Sequence, residues 1–254
     1  MPPTVTPHEG FAGVYWVLLE DGNKRPATVN LAPGRTVYGE TLVRTDEREL
    51  RVWDPYRSKL AAVIMKGLRH LTMRAGVKVL YLGAASGTTC SHVSDLIGRE
   101  GRLYCVEFSP RAMRELVRNL CEYRPNVFPV LADARFPERY RSFVGQVDAA
   151  YCDIAQPEQA KILADNCDQF LADRGVAMLA VKARSIDVTR RPTEVFKAEA
   201  EVLRSRGFHV LQQILLEPYD RDHAMIVVQY LKPAAEDEVG ETRSSETKGC
   251  LSHG

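Results

Sequence analysis

The sequence predicts an α/β domain built on a mostly parallel sheet, preceded by a small antiparallel β unit. Three observations carry this. From residue 78 onward, compact apolar runs alternate with amphipathic stretches, the pattern of β–α repeats on a sheet covered on both faces. The last two apolar runs are separated only by a short polar loop, which makes them an antiparallel pair. Residues 11–53 have a different texture, with short apolar or alternating runs broken by turn signals.

In the front unit, Val14–Leu19, Ala27–Leu31, Thr36–Tyr38 and Leu50–Trp53 read as strands, with turns at Asp21-Gly22-Asn23 and Pro33-Gly34. Asp54-Pro55 closes the unit. Lys59–Leu71 then places Leu60, Val63, Ile64, Leu68 and Leu71 on one helical stripe. Strands follow at Lys78–Gly83, Arg102–Glu107, Val127–Leu131, Val147–Asp153 and Val176–Lys182, with helices at Thr88–Ile97, Pro110–Tyr123, Gln156–Leu171 and Thr193–Ser205. Phe208–Leu216 and His223–Leu231 form the closing hairpin. Seven strands in this order, the last pair antiparallel, are the Rossmann-like arrangement of S-adenosyl-L-methionine (SAM)-dependent methyltransferases. The expected units are a β-rich domain over 1–54, a methyltransferase domain over 55–232, and a disordered acidic tail over 233–254.

With 254 residues, 45% of them apolar and 26% charged, the chain can bury one ordinary core. No apolar run exceeds six residues, which excludes a membrane-spanning helix, and MPPTVTPHEG shows no signal peptide. The net charge of +1 divides unevenly: the tail carries five acids and two basic residues, the rest 32 basic against 28 acidic. A body that mildly basic does not coat nucleic acid by charge alone. Binding RNA would require a concentrated basic face or a partner. The six cysteines form no C-x-x-C pair and have no histidine at zinc spacing, so no metal is expected and a reduced, cytoplasmic setting is.

The chemistry lies at the strand ends. Leu82-Gly83-Ala84-Ala85-Ser86-Gly87-Thr88-Thr89 follows the first long strand and opens a helix. Small residues there admit a ligand close to the backbone. The spacing is neither G-x-G-x-x-G nor a P-loop, and by itself it also describes a plain tight turn. Glu107 ends the next strand, 24 residues after Gly83, where an acid can accept both hydroxyls of a ribose. Asp133 and Asp153 end the third and fourth strands. One strand-end carboxylate is often a helix cap; three on successive strands beside a Gly/Ser turn fit an adenosine ligand. Lys182 ends the fifth strand, Lys59 opens a helix where the dipole disfavours a cation, and His223 follows the hairpin loop. Lysines near Asp153 could set one another's charge state, so that a neutral amine takes a proton from a hydroxyl attacking a methyl group.

Val79–Asp95, Val106–Ser109, Asp153–Pro157, Val181–Val188 and Leu216–Ala224, with Arg57–Ala62 and Val37–Glu40, closely resemble fibrillarin, over about residues 13–228. The resemblance implies a SAM-dependent RNA 2′-O-ribose methyltransferase of box C/D ribonucleoproteins. It implies the family's Lys-Asp-Lys-His tetrad at Lys59, Asp153, Lys182 and His223. It further implies cofactor contacts at Gly83, Ala85, Thr88, Thr89, Glu107, Phe108, Asp133 and Ala134, and at Asp153, Ile154, Ala155 and Gln156. The implied partners are a guide box C/D RNA, the target rRNA or tRNA, a Nop-domain scaffold protein and a kink-turn-binding protein. VKARSIDVT and the absence of a Gly/Arg-rich front segment resemble the archaeal form. Arg57, Arg135, Arg139, Arg184 and Arg221 are candidates for RNA backbone contact or simply solvated arginines. A NAD-linked oxidoreductase, a protein glutamine methyltransferase and a non-catalytic ribonucleoprotein scaffold are the competing functions.

Overall fold

The computed structural model describes residues 3–232; the expected acidic tail lies outside them. The front unit is a five-stranded antiparallel sheet of β1 (Thr4–Pro7), β2 (Val14–Leu18), β3 (Lys24–Val29), β4 (Leu42–Arg44) and β5 (Glu49–Val52), ordered β1-β2-β3-β5-β4. Three strand assignments differ from the sequence reading. Thr36–Tyr38 is not a strand, because the Glu40 carboxylate accepts the N–H groups of Val37 and Tyr38 at 2.9–3.0 Å and ties the segment into a turn. β4 lies just after that turn. β1 is a short, mostly exposed edge strand that lacks the apolar alternation by which strands are read.

The second sheet has seven strands: β6 (Lys78–Leu82), β7 (Arg102–Glu107), β8 (Val127–Leu131), β9 (Val147–Cys152), β10 (Leu171–Lys182), β11 (Phe208–Leu215) and β12 (His223–Tyr230). Their order is β11-β12-β10-β9-β6-β7-β8, with β12 antiparallel to both its neighbours and the remaining pairings parallel. The helices are α1 (Lys59–Met65), α2 (Thr88–Ile97), α3 (Pro110–Asn119), α4 (Gln159–Phe170), α5 (Ala183–Ile186) and α6 (Pro192–Ser205). α1 stops six residues before the expected Leu71, because Gly67 takes φ +83° and the N–H groups of Gly67 and Leu68 close back on Ile64 and Val63. Leu68 stays buried even so. Among the described residues no helix is long and apolar enough to cross a membrane, and Cys90, Cys105, Cys121, Cys152 and Cys167 are free thiols.

Strand alternation divides the core. Val79 and Tyr81 face one layer with α1 and α2; Leu80 and Leu82 face the other with α4 and α6. The same alternation joins the two sheets. Leu50 and Val52 fill the small core of the front sheet, so Arg51 between them points at α2. There its guanidinium donates to Asp95 at 2.8 Å, to Ser91 at 2.7 Å and to Glu40 at 2.6 Å, all fully buried. Arg124 reaches the other oxygen of Asp95. His92, stacked on Trp53 at 4.6 Å, bonds Thr28 and Tyr38 at 2.8 Å each. Burial, reinforced by the charges of Arg51 and Arg124, holds its imidazole well below the ordinary histidine range.

Candidate active site

The carboxyl ends of β6, β7, β8 and β9 open onto a pocket of about 240 Å³. Gly83, Ala85, Glu107, Phe108, Asp133, Ala134 and the run Asp153–Gln156 all line it. Thr88 and Thr89 do not. Thr89 is buried against the N-cap of α1, its hydroxyl 2.9 Å from that of Ser58, and Thr88 opens α2. Gly83 has no alternative at its position: with φ +83°, an added Cβ would come within 2.3 Å of the Asp153 carbonyl oxygen.

Glu107 is buried, and its two carboxylate oxygens accept the N–H groups of Ala85 (2.9 Å) and Ser109 (2.8 Å). The carboxylate is thus fixed across the loop and keeps lone pairs to spare. Phe108 beside it is 66% exposed, a large apolar face at the pocket mouth. Asp133 is bound by its neighbour Arg135 in a fork with contacts of 2.6–3.1 Å. The Arg135 hydrogen bond outweighs burial and lowers the Asp133 carboxyl below its ordinary range.

Beyond the pocket, the four residues expected to form a tetrad fall into two pairs. Lys59 Nζ donates to both oxygens of Asp153, at 2.9 and 3.0 Å. Asp153 therefore faces the pocket on one side and a lysine on the other. Lys182 and His223 are register partners across β10 and β12. Among the described residues no carboxylate lies within 4.0 Å of Lys182 Nζ.

Two residues of this array escaped the sequence reading. Asp220, in the loop between β11 and β12, places one carboxylate oxygen 2.9 Å from His223 Nδ1 and the other 3.9 Å from Lys59 Nζ. Burial alone would raise its carboxyl. The His223 hydrogen bond and the charges of His223, Lys59 and Lys182 outweigh that and hold it below the ordinary range. Its only sequence signal is its position three residues before His223. Gln159, fully buried in the first turn of α4, accepts the Lys182 backbone N–H at 3.0 Å and donates to the Ile154 carbonyl, so it joins the ends of β9 and β10. Nothing in the sequence marks it. Of the candidate RNA-contacting arginines, Arg57 donates to the Tyr38 carbonyl (3.0 Å), Arg184 pairs with Asp222 (3.1 Å), Arg135 is taken by Asp133, and Arg139 sits over Phe136.

The pocket suits an adenosine bearing a cationic group. A fixed, buried carboxylate can take a ribose diol, an exposed aromatic face can stack a base, and the carboxylates at the strand ends favour positive charge.

A seven-stranded sheet with this order and a strand-end pocket is the fold of the SAM-dependent methyltransferases. The family model described as fibrillarin matches residues 5–232. A fibrillarin-like rRNA/tRNA 2′-O-methyltransferase of Methanopyrus kandleri is 57% identical over 226 residues, covering 89% of this chain and 97% of that protein. Among solved structures, Aeropyrum pernix fibrillarin in complex with natively bound S-adenosyl-L-methionine aligns with TM-score 0.83 at 52% identity, covering 89% of this chain and 97% of that one. The corresponding chain of a fibrillarin/Nop5p complex aligns with TM-score 0.78 at 40% identity, covering 88% and 100%. The chain belongs to the fibrillarin family.

Proposed function

We propose that the chain is a SAM-dependent RNA 2′-O-ribose methyltransferase, the catalytic subunit of a box C/D guide ribonucleoprotein acting on rRNA and tRNA. The observation that carries this is the double position of Asp153, on the wall of the nucleoside-sized pocket and 2.9 Å from the Lys59 amine. The M. kandleri relative's name and the SAM bound to A. pernix fibrillarin support the same reaction and cofactor.

When bound, SAM supplies an electrophilic methyl group on a sulfonium. Glu107 would take its ribose, Phe108 would stack its base, and Asp133, Ala134 and Asp153–Gln156 would complete the cradle, with Gly83 and Ala85 in its wall and Thr88 and Thr89 behind it. Asp153 holds the Lys59 ammonium at the border of pocket and substrate side. Lys59 and His223 orient the target ribose, and Lys182 takes the 2′-hydroxyl proton as the oxygen attacks. With a good leaving group in place, the protein's main task is alignment. A Nop-domain scaffold holds the enzyme, a reading that the fibrillarin/Nop5p complex supports, while a guide RNA and a kink-turn-binding protein deliver the target. The setting is cytoplasmic.

Lys182→Ala should leave SAM binding near wild type and abolish 2′-O-methylation by the assembled complex; retained turnover removes its assigned role. The isolated chain should methylate free RNA poorly, and strong guide-free activity would contradict the partner dependence. Mass spectrometry of nucleosides against peptides separates this reading from protein glutamine methylation.

A further inference from the structure

Asp220 stands between two groups of the tetrad without belonging to it. Its Oδ1 faces His223 Nδ1 at 2.9 Å and its Oδ2 faces Lys59 Nζ at 3.9 Å. The chain holds it there from both sides. Its backbone N–H, and that of Tyr219, close on the Leu216 carbonyl. The Tyr219 ring meets the Tyr56 ring edge-on at 5.2 Å, just before α1 and Lys59. The loop and the start of α1 are thereby tied together next to the carboxylate.

The environment of His223 also settles which ring nitrogen carries hydrogen. Nδ1 faces the Arg221 carbonyl at 2.6 Å as well as the Asp220 carboxylate, and both are acceptors only. Nδ1–H therefore donates, and in the neutral ring Nε2 keeps the lone pair. The Arg221 carbonyl fixes that tautomer through the backbone. Asp220 adds what a carbonyl cannot, a full negative charge shared with the Lys59 ammonium.

We propose that Asp220 is a positioning residue of the methyl-transfer site, coupling His223 to Lys59 through one carboxylate so that imidazole and amine are presented to the substrate as a unit. The kinetic part of this proposal rests on the function proposed above; the structural link does not.

The test uses Asp220→Asn and Asp220→Glu in the full chain. Asparagine keeps the shape and an acceptor oxygen but loses the charge. In the assembled complex, Asp220→Asn should lower kcat roughly tenfold or more, with KM for RNA and SAM within about twofold of wild type, and Asp220→Glu should recover part of the rate. In proton NMR of the free chain, the His223 Nδ1–H resonance should move upfield in Asp220→Asn, because the negative charge 2.9 Å from Nδ1 is lost. A kcat for Asp220→Asn within about twofold of wild type overturns the proposal, and so does an unmoved resonance. If the wild-type complex fails to methylate RNA, the functional reading falls, and the resonance still decides the link between Asp220 and His223.

Discussion

Lys59 and Asp153 are 94 positions apart in the chain, yet the lysine amine donates to both oxygens of the aspartate at 2.9 and 3.0 Å. The cation sits in the first turn of α1, where the helix dipole opposes it, and the carboxylate at the end of β9 offsets that opposition. Lys59→Met should therefore leave Asp153 and Asp220 as neighbouring carboxylates without their shared cation. Single-turnover methylation by the assembled complex should slow by about a hundredfold. Lys59→Arg should keep an ion pair but not the full rate, since a planar fork does not replace a compact ammonium.

Gly83 cannot carry a side chain. An alanine Cβ would overlap the Asp153 carbonyl at 2.3 Å, and φ +83° adds backbone strain. Gly83→Ala should cost about 2–4 kcal/mol of stability, from the strained φ plus the overlap. It should also weaken SAM binding more than any substitution on the opposite edge of the sheet. Denaturant titration and calorimetry with SAM check both.

Asp95 is the acceptor that holds two buried guanidiniums, those of Arg51 and Arg124. Asp95→Ala would leave both charges buried without it. A loss of about 3–5 kcal/mol is expected, measured by urea unfolding at neutral pH. Arg51→Met together with Asp95→Leu should cost less than the two single changes added, because the pair is removed as a unit.

His92 is buried neutral, with its protonation pushed to lower pH in the folded protein. Unfolded, it titrates near 6.5. Just below pH 6.5 the unfolded chain therefore binds a proton that the folded chain refuses. The stabilisation is complete above that pH and is lost as pH falls toward the depressed folded value. The slope approaches about 1.4 kcal/mol per pH unit. His92→Gln should flatten the dependence between pH 7 and 5.5, measured as unfolding free energy at both ends.

Much of the fold was legible because its signals are local. Val79, Leu80, Tyr81 and Leu82 form a run apolar on both sides, which only a strand between two layers requires. The strand-end acids Glu107, Asp133 and Asp153 were readable because a parallel sheet brings the carboxyl ends of its strands to one rim. Thr36–Tyr38 was misread because a carboxylate from the next turn, Glu40, takes the backbone N–H groups that a strand would have used. Thr88 and Thr89, expected at the cofactor, stand outside the pocket wall, with Thr89 turned to Ser58.

By itself the sequence determined the order of the elements and the strand-end acids, since periodicity and turn residues are written along the chain, and its resemblance to fibrillarin pointed to Lys59, Asp153, Lys182 and His223 as the proposed tetrad. Only the tertiary structure decided which charges meet. Asp220 joins His223 to Lys59, Gln159 bridges β9 and β10, and Arg51 crosses from one sheet to a helix under the other. Such contacts depend on distances of a few ångströms between segments far apart in the chain, and ion pairs and hydrogen bonds are decided at that scale.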